Sequence, residues 1–293
     1  MTAQATQTAQ TSDFGAAAFF DVDGTLVWRD FQRMKKRTGE SVNAATEIKP
    51  SAGVADAFRR MRERSNATFI CTGRPMPFVM PSLLALEPTG IVAAAGAFVS
   101  VGDTVVRNVY LPRDLVEETA ARFAEARLDA TFESDTRSVE LHPTGAPVRF
   151  AGSLAARDAQ ELGAYLDGST AMPAVRIQKI CTNGVAFEAL EPVLPFMREH
   201  YTVCDLQGGC FEFSLKGVDK GSGIAAALDF IGHGRAQTFA FGDSENDLSM
   251  AGAVETFVAM GNALPSVKAA ADYVTLSAAD DGVPAGLAHF GLI

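Results

Sequence analysis

Asp21-Val22-Asp23-Gly24-Thr25 follows directly on the apolar run Ala16-Ala17-Ala18-Phe19-Phe20. A short apolar run halted by an Asp-Gly turn reads as a buried strand and its exit. Side chains alternate along extended backbone, so Asp21 and Asp23 can point to one side, beyond the carboxyl end of the strand. Two neighbouring carboxylates repel, which favours a shared proton or a bound cation. A polar turn serving geometry alone is the plain structural alternative, and these five residues by themselves do not choose between the two.

Working outward, residues 68–71 form a second apolar run, ended by Gly73-Arg74-Pro75. Residues 91–95, 238–241, 256–260 and 273–276 repeat the pattern, and residues 50–64 carry helical spacing with Val54, Ala57, Phe58 and Met61 on one face. Short buried strands alternating with helices predict an α/β fold, a parallel sheet covered by helices on both faces. From about Pro112 to Leu215 the pattern changes. Ser138-Val139-Glu140-Leu141-His142, Arg176-Ile177-Gln178-Lys179-Ile180 and Cys210-Phe211-Glu212-Phe213-Ser214 alternate polar with apolar, with a helical stretch at 115–128. That suits an antiparallel sheet with helices on one side. The expected organisation is a core of residues 14–111 and 216–293 with residues 112–215 inserted as a second domain.

Length and composition agree with this plan. The 293 residues are 47% hydrophobic and 20% charged, as in a soluble protein with a sizeable core. The formal net charge of -10 disfavours nucleic acid and anionic membranes as partners. A phosphorylated substrate would need local positive charge. Cys71, Cys181, Cys204 and Cys210 form no Cys-x-x-Cys pair and are expected as reduced thiols of a cytoplasmic protein. The histidines His142, His200, His233 and His289 make no zinc spacing. Residues 1–13, rich in Thr, Gln and Ala, lack the basic start and apolar stretch of a signal peptide and are expected as a disordered tail.

A second acidic group stands at Gly242-Asp243-Ser244-Glu245-Asn246-Asp247. If a helix starts near Ser244, Asp243 and Asp247 share one face. Clustered carboxylate oxygens suit magnesium, whereas helix-capping chemistry explains one acidic residue here better than two. Thr72 ends a strand, where its hydroxyl and the following amides could donate to an anion. Lys220 follows a candidate N-cap, Asp219, so that a helix N-terminus and an ammonium favour phosphate together. Gly221-Ser222-Gly223 is too short for a dinucleotide loop.

Taken in order, Asp-x-Asp-Gly-Thr, strand-Thr-Gly-Arg, Lys-Gly and Gly-Asp-x-x-Asn-Asp resemble the four motifs of the haloacid dehalogenase superfamily. The resemblance extends to its Cof-like branch, subfamily IIB phosphatases, through Cys71-Thr72-Gly73-Arg74, Gly217-Val218-Asp219-Lys220-Gly221, Val258-Ala259-Met260-Gly261-Asn262-Ala263, residues 271–275 and Asp281-Gly282-Val283. It implies a Rossmann-like core with an inserted α/β cap. It also implies an aspartyl-phosphate on the nucleophile Asp21, with Asp23 as proton donor and then base. Thr72, Gly73, Lys220 and Asn246 would hold the phosphoryl group. Magnesium would sit on Asp21, the backbone carbonyl of Asp23 and Asp243, with Asp247 behind. The expected substrate is a small phosphorylated metabolite, such as a sugar phosphate, and the expected assembly a monomer or small homo-oligomer. Residues near Leu111-Pro112 and Lys216-Gly217 are expected hinges. A sugar phosphomutase and a non-catalytic sugar-phosphate-binding protein are the competing readings. Two features depart from the branch. Ala95-Gly96-Ala97 stands where Asn-Gly-Ala is usual, and a basic stretch, residues 29–37, lengthens the first interval and is either a solvated face or an aid to anionic substrate.

Overall fold

The computed structural model describes residues 14–28 and 49–293. The expected tail, residues 1–13, and the basic stretch, residues 29–37, lie outside the described residues.

Two sheets organise the chain. The first collects β1 (Ala17–Phe20), β2 (Ala67–Cys71), β3 (Gly90–Ala93), β4 (Phe98–Val101) and β5 (Thr104–Asn108). The second holds β6 (Ala130–Glu133), β7 (Val139–Leu141), β8 (Leu154–Ala156), β9 (Lys179–Thr182), β10 (Tyr201–Asp205) and β11 (Phe211–Leu215). The chain then returns to the first sheet as β12 (Thr238–Gly242), β13 (Thr256–Ala259) and β14 (Tyr273–Val274). Strand order is β14-β13-β12-β1-β2-β3-β4-β5 in the first sheet and β10-β11-β9-β6-β7-β8 in the second.

The first sheet is parallel from β14 through β3, and the hairpin β4–β5 extends it antiparallel. The expected parallel sheet is therefore present, with an antiparallel hairpin added at one edge. Residues 98–108 turn back within two residues of β4, too few for the crossover that a parallel neighbour requires. The second sheet is antiparallel except for β7 and β8. The expected strand at 91–95 stops at Ala93, because Ala94 and Ala95 take φ of 49° and 51°. The expected strand at 176–180 begins at Lys179 instead.

Apolar packing holds the central strands in place. β1 and β2 are buried at every position. Phe19 stacks on Phe69 at 4.6 Å, and Phe20 lies between Phe58 and Phe241 at 5.0 and 5.1 Å. Each such pair adds about 0.5–1.5 kcal/mol beyond its buried area. Phe58 belongs to the helix Ala52–Glu63, which buries Val54, Ala57, Phe58 and Met61 as its spacing predicts. A second apolar cluster, including Phe123, Phe132, Ile180, Met197 and Phe213, fills the space between the second sheet and its helices.

Candidate active site

Strand register brings the motifs together. Phe20 pairs with Phe241 on one side and Ile70 on the other. Asp21, Asp243 and Thr72 therefore leave the sheet at the same edge, the carboxyl ends of the strands, where open α/β sheets bind ligands. The Asp21 amide donates to the Phe241 carbonyl at 2.9 Å, fixing the start of the turn. Gly24 sits in that turn with φ of 97°, and a Cβ there would lie 2.3 Å from Asp243 Oδ2. Only glycine lets the first motif approach the last this closely.

Lys220 stands at the centre. Asp219 caps its helix, Lys220–Ile231, by accepting from the Ser222 amide at 2.7 Å. This puts the lysine in the first turn, as expected. Its ammonium, buried, donates to Asp21 Oδ1 and to Asp247 Oδ1, each at 2.5 Å. Although burial opposes it, Asp21 and Asp247 hold that ammonium well above its usual range. Ligand oxygens of Asp21, Asp243 and Asp247 lie within 4.8 Å of one another. Burial lifts the Asp21 carboxyl well above its usual range, against the pull of Lys220 and with Asp247 and Asp243 adding to it. Burial, with Asp247 beside it, pushes Asp243 up to about 7. A single ammonium does not compensate three carboxylates, and their hard oxygens match a divalent cation such as magnesium.

The last motif folds differently from expectation. Asp243 and Asp247 do not share a helical face. Residues Glu245–Asp247 form a 3-10 turn ahead of the helix Leu248–Ala253. Asp247 reaches back and accepts from the Asp243 amide at 2.8 Å and the Ser244 amide at 2.9 Å. Capping chemistry and site chemistry are thus one arrangement. The same carboxylate that satisfies the open amides holds Lys220 with its other oxygen.

Asp23 leaves the strand beside Asp21 and meets Arg74, whose Nε and Nη2 donate to its two oxygens at 2.8 and 2.9 Å. The Arg74 amide donates to Thr72 Oγ1 at 3.1 Å, leaving the hydroxyl proton of buried Thr72 to point elsewhere. Asn246 Nδ2 donates to Glu212 Oε1 of β11 at 3.3 Å. Gly73 faces the same glutamate: a Cβ on it would lie 2.7 Å from Glu212 Oε2.

Three contributions escape the sequence reading. Arg74 was visible in its motif without a role. Asn262 donates to the Gly24 carbonyl at 2.9 Å and accepts from the Ala278 amide at 2.8 Å, tying the first turn to the chain after β14. Glu212 carried no signal beyond polar-apolar alternation in its strand. A cavity of about 410 Å³ lies elsewhere, lined by residues including Tyr110, Arg113 and Arg176. Carboxylate chemistry, not cavity size, locates the site.

Comparison with known proteins follows the same lines. The family described as haloacid dehalogenase-like hydrolase matches residues 18–287. "Putative phosphatase YkrA" of Bacillus subtilis (strain 168) is 26% identical over 278 residues, spanning 94% of this chain and 97% of its own length. Among solved structures, the subclass IIB sugar phosphatase BT4131 superposes with a TM-score of 0.72 at 24% identity, over 95% of this chain and 100% of that one. BT1666 from Bacteroides thetaiotaomicron, described among the phosphatases of the same superfamily, gives 0.76 at 22%, over 99% and 100%. These two likenesses speak for the fold.

Proposed function

The chain belongs to the haloacid dehalogenase-like hydrolases, and we propose that it is a magnesium-dependent phosphatase of small phosphomonoesters, sugar phosphates among them. One observation carries this reading: three carboxylates converge within 4.8 Å around a single buried lysine. The unbalanced negative charge repels a phosphate dianion until a cation is added. In this reading Asp21, the Asp23 backbone carbonyl and Asp243 would hold the metal, with Asp247 buttressing Lys220. Its chemistry when bound is to offset charge on the phosphoryl oxygens and keep Asp21 ionised.

Asp21 is the nucleophile. Lys220 holds Oδ1, and Oδ2 attacks phosphorus while the bond to the leaving alcohol breaks. Asp23 hands its proton to the departing oxygen, exchanging one of its Arg74 bonds for that contact. Water then attacks the aspartyl-phosphate and gives a proton to Asp23, releasing phosphate and restoring Asp21. Thr72, Gly73 and Asn246 line the phosphoryl position, with Thr72 donating its hydroxyl proton. Asp23 has no task in a module that only binds.

Residues 112–215 serve as the cap that excludes water. Three contacts across the two parts support this: Glu212 with Asn246, the Asp205 amide to Glu245 Oε2 at 3.0 Å, and Phe78 with Phe150 at 5.2 Å. Four unpaired cysteines support a reducing, cytoplasmic setting. The test is phosphate release by purified protein from a panel of phosphomonoesters, with and without a chelator. Release is expected only with magnesium present, and turnover that survives chelation removes the metal from the mechanism.

A further inference from the structure

The second sheet has one polar face, and along its inner strands that face is buried. Along β6, β9 and β11, Phe132, Ile180 and Phe213 join the apolar cluster under the helices. Alternation then turns Glu133, Lys179, Cys181 and Glu212 to the opposite side. Register sets Glu133 beside Lys179 and Cys181 beside Glu212. These side chains are nevertheless only 6%, 2%, 5% and 2% exposed. Charged groups are buried this deeply only against other polar groups, and the core motifs supply them. Glu212 reaches Asn246 and Gly73, and Glu133 acts electrostatically on Arg74. The polar face is a roof over the proposed phosphoryl position.

We propose that Glu133, Lys179 and Glu212 are specificity-determining residues that read hydroxyls on the leaving group and turn away leaving groups bearing a second anionic group. This rests on the phosphatase reading above. Lys179 Nζ lies 2.6 Å from Glu133 Oε2 and 2.9 Å from Glu212 Oε2. Two carboxyls face one ammonium, so the roof presents acceptors and an excess of negative character. The contact with Glu133 is an ion pair in which Oε2 is itself buried, so the carboxyl is held in place facing the core motifs. Burial keeps the Cys181 thiol protonated, so it brings no charge of its own. A polyol supplies donors to the carboxylates and an acceptor to Lys179. A second phosphate or a carboxylate would set like charge against like charge where little water screens it. The same roof disfavours the mutase alternative, which must admit a bisphosphate.

The experiment compares kcat/KM for a hexose monophosphate, the matching bisphosphate and an aryl phosphate in the wild type, Glu212→Gln and Glu133→Gln, with folding checked by thermal unfolding. The wild type is expected to favour the monophosphate over the bisphosphate on the order of 100-fold. At least one folded variant is expected to narrow that ratio about tenfold, a change that loss of structure alone does not produce. Equal use of the two sugars by the wild type, or an unchanged ratio in both variants, overturns the inference while aryl-phosphate turnover keeps the phosphatase reading alive. Absence of all turnover, aryl phosphate included, overturns both.

Discussion

In the proposed mechanism, with Asp21 as nucleophile and Asp23 as proton donor, Asp21, Asp23 and Lys220 divide the chemistry so that each substitution has its own signature. Asp21→Asn keeps the shape and the hydrogen bond to Lys220 but removes the nucleophile. Turnover is expected to fall on the order of 10⁵-fold with the fold retained, and steady-state kinetics on a variant of confirmed circular dichroism checks it. Substantial residual activity would move the nucleophile elsewhere. Asp23→Asn removes the proton donor, so sugar phosphates should lose about 10²–10⁴-fold while an aryl phosphate, whose leaving group needs no proton, loses much less. Equal losses on both would deny Asp23 that role. Lys220→Met acts on stability instead. It strands Asp21 and Asp247 without the ammonium they share at 2.5 Å, and removing one partner of a buried ion pair costs about 3–5 kcal/mol. Urea unfolding in the absence of metal measures it, and an unchanged midpoint would show that the carboxylates had already shed their charge.

At the scale of elements, the chain just after β2 meets the middle of β11, where Gly73 faces Glu212, and in the proposed mechanism this contact belongs to the closed cap. Gly73 leaves no room for a Cβ, which would lie 2.7 Å from Glu212 Oε2. Gly73→Ala should hold the parts slightly apart, and displacement near 1 Å costs about 100-fold in turnover. The loss is expected in kcat/KM, with thermal stability little changed, because the clash exists only on closure. Wild-type kinetics in this variant would mean that catalysis does not use the closed arrangement. This contact also marks where the sequence stops being legible. The strands at 17–20, 67–71 and 238–242 could be read because their side chains are buried on both faces and their ends carry Asp, Thr or Gly with chemical meaning. The hairpin β4–β5 was invisible, since Val99 and Val105 differ in burial and neither strand ends in a motif. Asp247 was legible as a member of the site but not as the cap of its own motif. That depends on a 3-10 turn whose geometry no periodicity encodes. Glu212 and Lys179 show only alternation in the sequence, because which face of a sheet meets another module is a tertiary fact.

For the whole molecule, the acidic site ties stability, metal affinity and pH into one linkage. Without metal, Asp243 titrates near 7, far above an unfolded aspartate at 3.8. Between those values the folded chain binds the extra proton, so this group stabilises the metal-free protein in acid and loses that contribution as pH rises through 7. The slope for one such proton is at most about 1.4 kcal/mol per pH unit. Magnesium needs the ionised carboxylate, so the opposite trend holds for binding: affinity should weaken about tenfold per unit below pH 7 and level off above it. Asp21, raised by the same burial, can only steepen this fall. Calorimetric titration with magnesium from pH 5.5 to 8, beside melting curves with and without the metal, reads both halves. The metal-free melting temperature should drop as pH rises towards 7, and saturating magnesium, which keeps the group ionised in the folded chain, should flatten that dependence. A magnesium affinity indifferent to pH across this window would mean that Asp243 is not among the ligands, and the three-carboxylate centre would have to be reassigned.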